Sequence, residues 1–246
     1  MSLIDVERPC EEVFVVRMAT TDNRVDFQFI DAMHAVMDQI EASEGAAAVV
    51  LTGKSGSKFF SNGLKFEALS SEPGRLLTTF HKLMARLMSF PVPTVAAING
   101  HAFAGGAMLA FCCDWRVMNS AKGWICVNEV DLGLPLTPGM AAVVTAKVDR
   151  SLWADMILRA KRFTAADALK LQMIHATAPP DRLESAAVEF AKTVAPKGEN
   201  RSVYGWLKRQ TWVNELRALE SGGLGFANAI AQRLDQGGSQ GPLSRL

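Results

Sequence analysis

Three short segments bring glycine or a carboxylate into apolar surroundings, and each is of a type that acts on a polarised carbonyl. They are Phe59-Phe60-Ser61-Asn62-Gly63-Leu64-Lys65, Ala104-Gly105-Gly106-Ala107-Met108 and Val127-Asn128-Glu129. Glycine at a strand end lets the chain turn so that the next backbone N–H faces a pocket, and a helix beginning at Gly105-Gly106 aims unpaired amides at the same kind of place. Two such donors make an oxyanion hole. Each glycine taken alone also fits a tight turn or close packing. Glu129 sits between Ile125-Cys126-Val127 and Val130, so one face of its segment is expected to be buried. Burial raises a carboxyl pKa toward the range of a base that must also return its proton. The other reading of Glu129 is an acid paired with an arginine or exposed at a strand end.

Other chemistries lack their patterns. Gly53-Lys54-Ser55-Gly56-Ser57-Lys58 does not have phosphate-loop spacing, Gly222-Gly223-Leu224-Gly225 follows a helical region, and no Gly-x-Ser-x-Gly elbow occurs. His34, His81, His101 and His175 have no metal-ligand spacing, so no metal is expected. Cys112 and Cys113 are adjacent in an apolar run, and with Cys10 and Cys126 they form no C-x-x-C pair; all read as reduced packing residues. A net charge of +1 with scattered basic residues predicts neither nucleic-acid nor membrane partners. The longest apolar stretch, Ala102 to Cys113, is short of the roughly 20 residues of a membrane span. The opening Met-Ser-Leu-Ile-Asp-Val-Glu has no secretory or transit pattern, which predicts synthesis and folding in the cytosol.

The chain has 246 residues, 49% of them hydrophobic, enough for a full core without an independent second domain. Strands are predicted at Val13–Val16, Ala47–Leu51, Thr94–Ile98, and near Trp115–Met118 and Trp124–Val127. Ile30, Met33, Met37 and Ile40 mark an amphipathic helix with His34 on its solvated face, and a second helix follows Pro73-Gly74. Thr164-Ala165-Ala166-Asp167 has the form of a capping box. From about Asp181 the pattern turns helical through Leu183–Ala195 and Tyr204–Leu219, and the last dozen residues are a Gly/Ser/Gln tail. The expected class is α/β.

Taken in order, these segments resemble the crotonase (enoyl-CoA hydratase/isomerase) superfamily. Phe60-Ser61-Asn62-Gly63-Leu64 resembles its first oxyanion-loop signature, and the run from Pro91 through Ile98-Asn99-Gly100-His101 to Gly105-Gly106 resembles its most distinctive stretch. Cys113-Asp114-Trp115-Arg116, Asn128-Glu129-Val130-Asp131-Leu132-Gly133-Leu134 and Phe163-Thr164-Ala165-Ala166-Asp167-Ala168 follow at similar spacings, so the likeness spans about residues 10–195. It implies an α/β spiral of ββα repeats: a core over 1–195 that binds acyl-CoA, then a helical trimerisation region and flexible targeting tail over 196–246. It also implies that the thioester oxygen meets the amides of Leu64 and Gly105, each worth roughly a hundredfold or more in rate. Ser61, Asn62, Gly63, Lys65, Gly106 and Met108 would contact substrate, and Glu129 would be the base. Coenzyme A would arrive as part of the substrate, with no separate cofactor.

The acids separate the family's activities. Hydratases that this chain resembles carry two glutamates, and the first of those positions is Met108 here; dienoyl-CoA isomerases carry acids where this chain has Met108 and Thr137. The one remaining carboxylate implies a delta(3)-delta(2)-enoyl-CoA isomerase, similar to the monofunctional peroxisomal ones, with Glu129 moving a proton from C2 to C4 and Met108 keeping water out. Another crotonase-type enzyme (hydratase, thioester hydrolase or decarboxylase) and a non-catalytic acyl-CoA-binding assembly subunit are the alternatives. Asn62 and Lys65 replace the Ala and Asp of many relatives, and Leu134-Pro135-Leu136-Thr137 replaces a more usual run beside the acyl tail. Lys65, Lys208 and Arg209 are candidates for the CoA phosphates. Ser244-Arg245-Leu246 resembles the S-K-L address, which implies a peroxisomal location and an import receptor as partner, beside a homotrimer or hexamer.

Overall fold

Two strands and then helix recur along the chain; the first pair, β1 and β2, stays together in one sheet, whereas the two strands of each later unit go to different sheets. The computed structural model describes residues 2–221; Gly222–Gly225 and the Ser244–Leu246 tripeptide lie outside the described residues. β1 (Ile4–Cys10) and β2 (Val13–Met18) form an antiparallel hairpin before α1 (Phe27–Glu41). β3 (Ala48–Gly53) and β4 (Phe59–Ser61) precede α2 (Phe66–Ser71) and α3 (Pro73–Met88), and β5 (Thr94–Ile98) and β6 (His101–Phe103) precede α4 (Gly105–Cys112). β7 (Trp115–Asn119) and β8 (Ile125–Cys126) precede α5 (Glu129–Leu132) and α6 (Pro138–Thr145). The β1-β2 hairpin and the first strands of the later units form a six-stranded sheet of order β1-β2-β3-β5-β7-β9, where β9 is Ala176–Ala178. The second strands of the later units make a separate parallel sheet, β4-β6-β8. This is the expected α/β spiral of ββα repeats.

Cover on both faces explains why the central strands read as unbroken apolar runs. Val13, Val15, Val50, Val95, Ala97 and Val117 face α8 (Leu183–Val194) through its Leu183, Ala187 and Ala191. Phe14, Val16, Leu51, Ala96 and Ile98 join the larger core with α1, α3 and α4. β1 escaped the strand pattern because only Ile4 of its seven residues is buried, as suits a charged edge strand. Asp26 caps α1 by accepting from the Phe29 amide at 3.0 Å, and Thr164 and Asp167 form the expected capping box of α7 (Ala165–Lys170). His34 departs from expectation. It is half-buried, its Nδ1 lying 3.2 Å from the Arg86 guanidinium, which also pairs with Asp38 and Glu41.

The second helix of the C-terminal region is two, α9 (Arg201–Thr211) and α10 (Val213–Glu220), which break at Trp212, whose ring lies 3.6 Å below the Lys147 ammonium. The break lets α10 fold back onto α3 and α6. Lys208 holds α9 down: its Nζ is 2.9 Å from Asp114 Oδ1, with side chains only 7% and 12% exposed. Asp114 Oδ2 accepts from the Thr94 amide and hydroxyl at 2.9 and 3.1 Å, so one carboxylate joins β5, β7 and α9. Lys208 is thus committed to this buried pair. Asp114→Ala leaves the Lys208 charge buried and alone, and is expected to lower the unfolding free energy by about 3–5 kcal/mol in urea denaturation. Lys208→Met, which fills the same space without charge, should cost less; equal losses would show that the pair is not desolvated.

Candidate active site

β4, β6 and β8 run parallel and end side by side, so the segments that leave them converge: Asn62–Lys65, Ala104–Gly105 and Asn128–Glu129. Ligand sites of parallel sheets gather at such carboxyl ends. In the first segment the Asn62 amide donates to Asp22 O at 2.9 Å, the Gly63 amide to Ser61 Oγ at 3.3 Å and the Lys65 amide to Val25 O at 2.8 Å. The Leu64 amide between them has no acceptor among the described residues. Gly63 makes this possible with φ of +76°, and a Cβ there would stand 3.1 Å from Gly105 N, so the two loops are in direct contact.

α4 supplies the second free donor. Gly105 is its first residue, so its amide has no intrahelical acceptor and lies at the positive end of the helix dipole. Ala104 before it holds φ 50° and ψ −125°, a conformation that costs a residue with a side chain about 1–3 kcal/mol. Its amide donates to Cys126 O at 2.9 Å and its carbonyl accepts from Ala107 at 2.9 Å, which fixes the turn to both β8 and the helix. Gly106 lies against Ser61, where any Cβ would collide with the Ser61 carbonyl oxygen.

Glu129 opens α5 at the floor of the same space. The residue keeps some exposure, but its Oε2 is shielded from solvent and has no hydrogen-bond partner among the described residues. Desolvation pushes its carboxyl up to about 7, opposed only by a hydrogen bond from its own amide. A cavity of about 770 Å³, open mouth included, lies in front of it. Leu64, Leu77, Leu132, Leu134, Pro135 and Met140 give it apolar walls, Ala104 and Gly105 one edge, and Arg24 and Asn62 further polar groups. Glu129 is the one carboxylate among these lining residues. Asn128, beside it, precedes α5 without capping it; its Oδ1 is buried and likewise unpartnered among the described residues.

Of the residues singled out from the sequence, Asn62, Leu64, Gly105 and Glu129 line the cavity, and Ser61, Gly63, Lys65, Gly106 and Met108 do not. Ser61 is buried and donates to Asn23 O at 2.7 Å, and Gly63 and Gly106 serve the close approach of the two loops. Lys65 pairs with Asp26 at 3.0 Å. Met108 is wholly inside the core, so Met140 of α6 takes the wall position expected of it. Thr137 caps α6 and meets the buried His81 at 2.7 Å. Asn128, from the segment singled out with Glu129, also lines the cavity, as do Arg24, Phe66, Leu69 and Leu77, which carry no sequence signal. An Arg in a polar loop and a Leu on a helix stripe look like a solvated charge and a core residue until the chain is folded.

The chain matches the enoyl-CoA hydratase/isomerase family model over residues 10–216. Peroxisomal enoyl-CoA delta isomerase 1 of Arabidopsis thaliana is 27% identical over 222 residues, which cover 86% of this chain and 92% of the relative. The apo structure of an enoyl-CoA isomerase from Mycobacterium tuberculosis superposes with a TM-score of 0.80 at 27% identity, covering 94% of this chain and 98% of that one. An enoyl-CoA hydratase from Mycobacterium ulcerans gives 0.80 at 25% identity, over 95% and 100% of the two chains.

The carboxyl of Glu129 binds its proton more tightly in the folded chain than in the unfolded one, so its effect on stability has a definite sign. The contribution is full below the ordinary carboxyl pKa of 4.5 and is lost as pH rises through about 7. Glu129→Gln, neutral throughout, is expected to melt at a higher temperature than the unsubstituted protein at pH 8, with the gap closing by pH 4. A gap that does not change with pH would mean that the carboxylate is solvated.

Proposed function

The chain belongs to the enoyl-CoA hydratase/isomerase family, and from that premise and the lone carboxylate of its cavity we propose that it is a delta(3)-delta(2)-enoyl-CoA isomerase of unsaturated fatty-acid β-oxidation. The Glu129 carboxylate takes a C2 proton from a 3-enoyl-CoA. The electron pair left at C2 spreads onto the thioester oxygen, which receives the N–H groups of Leu64 and Gly105. The resulting dienolate takes the proton back from Glu129 at C4, leaving the double bond between C2 and C3 and the enzyme unchanged. A carboxyl near 7 suits both halves of this transfer, because it neither holds nor refuses the proton strongly. No cofactor takes part beyond the coenzyme A of the substrate.

One observation favours hydration as a second reading. The unpartnered Asn128 Oδ1 and Glu129 Oε2 are neighbours in the chain and both border the cavity, where a water held by the two would be placed to add across a 2-enoyl thioester. The isomerase is preferred because a single carboxylate returns its own proton, whereas hydration needs the water positioned and its protons moved.

A homotrimer, or a hexamer of two, is supported by an exposed apolar face on α9, where Trp206 is 69% exposed beside Val203 and Leu207. Peroxisomal residence, with the import receptor as partner, is supported by the Arabidopsis isomerases named as peroxisomal.

With 3-hexenoyl-CoA the purified protein is expected to raise the ultraviolet absorbance of the conjugated thioester, with kcat/KM rising with pH through a midpoint near 7. Glu129→Gln should lower kcat by about a hundredfold to ten-thousandfold with little change in binding. Conjugation that survives the substitution removes Glu129 from the chemistry, and hydration of 2-hexenoyl-CoA without conjugation moves the assignment to the second reading. Trp206→Asp is expected to reduce the particle mass to that of a monomer in light scattering; an unchanged mass excludes the α9 face as the interface.

A further inference from the structure

Asn23 lies outside the cavity lining, in the loop between β2 and α1, and is 1% exposed. Its backbone φ is 48°, in the left-handed region. Every polar atom of its side chain is used. Oδ1 accepts from the Thr20 amide and hydroxyl, both at 3.0 Å, and Nδ2 donates to Phe60 O at 2.8 Å. The two ends of the amide therefore cannot be exchanged, because one meets a donor and the other an acceptor. Its own carbonyl accepts from Ser61 Oγ at 2.7 Å. On either side of it, Asp22 O accepts from the Asn62 amide at 2.9 Å, the Val25 amide donates to Gly63 O at 2.9 Å, and Val25 O accepts from the Lys65 amide at 2.8 Å. The loop that carries Leu64 is thus fastened at residues 60, 61, 62, 63 and 65, and the free amide is the one left between fastenings.

We propose that Asn23 is a positioning residue for the first oxyanion donor: its buried amide fixes the loop so that the Leu64 N–H stays unpaired and directed at the cavity. This rests on the oxyanion-hole reading above. Asn is suited to the task because it tolerates positive φ while its side chain bridges two backbones. A displacement of about 1 Å in a donor is enough to cost roughly a hundredfold in rate.

The test uses Asn23→Gly, which keeps the backbone conformation and deletes the bridge, and Asn23→Asp, which keeps the shape and the Thr20 bonds but sets a carboxylate oxygen against the Phe60 carbonyl. Each is assayed with 3-hexenoyl-CoA, and each is titrated with an aryl-conjugated enoyl-CoA, whose absorption moves to longer wavelength when its thioester oxygen is polarised. Expected are a kcat lower by about tenfold to a hundredfold, a KM within about threefold, an unmoved pH midpoint and a smaller red shift. Should the Gly variant not fold, the Asp variant decides. A lower melting temperature with kcat and red shift intact overturns the inference and leaves Asn23 a structural residue. A raised KM at unchanged kcat overturns it as well. Absence of the red shift in the unsubstituted protein overturns the oxyanion reading itself, whereas a red shift there without turnover would overturn only the isomerase assignment.

Discussion

A backbone amide can hold developing negative charge only if no other group in the protein takes its hydrogen, and that condition is hard to meet in a folded interior. The β4-β6-β8 sheet meets it twice. Leu64 lies in a loop whose neighbouring amides are all engaged, and Gly105 begins a helix, where an amide has no intrahelical acceptor. The contact of Gly63 with Gly105 and of Gly106 with Ser61 brings the two donors to one edge of one cavity. Bulk at Gly63 or Gly106 would push the loops apart, and bulk at Gly105 would press on the Phe80 ring. The strain at Ala104 belongs to the same requirement, since the turn it makes is the one that starts α4 beside the first loop.

The apolar walls do two things at once. They give an acyl chain somewhere to lie, and they remove the water that would otherwise hold the Glu129 carboxylate at its ordinary acidity. A polar cavity of the same shape would leave Glu129 at the ordinary carboxyl acidity. The large sheet and its helices fix the position of this arrangement: α3 brings Leu77 and α6 brings Met140 to the wall, and α10 packs against both helices from behind.

How much of this was legible from the sequence depended on whether a residue's role is local. The buried strands Ala48–Gly53 and Thr94–Ile98, the α1 stripe and the Thr164 cap announce themselves because periodicity and capping are properties of neighbouring residues. The glycine turns and Glu129 were legible for a similar reason, being unusual residues inside apolar runs. Met108 lies in the core and not on the wall that the resemblance implies for it, because a helix that is buried all round gives no sign of which side faces a ligand. Lys208 reads from the sequence as a candidate for the CoA phosphates; only the fold sets it against Asp114, 94 positions earlier in the chain. Arg24 and Asn23 were silent because their partners, Leu64 O and Phe60 O, come from another strand unit altogether.

Because the two free donors are peptide groups, no exchange of side chain at Leu64 or Gly105 can delete them; only proline lacks the hydrogen. Mutation therefore acts on everything around the donors and leaves the donors themselves in place. Cavity length, polarity and the number of acids are then free to drift while the pair of free donors is inherited intact. A scaffold of this kind is expected to diversify by changing what is done to a bound thioester, and to keep recognisable geometry long after most of its side chains have been replaced.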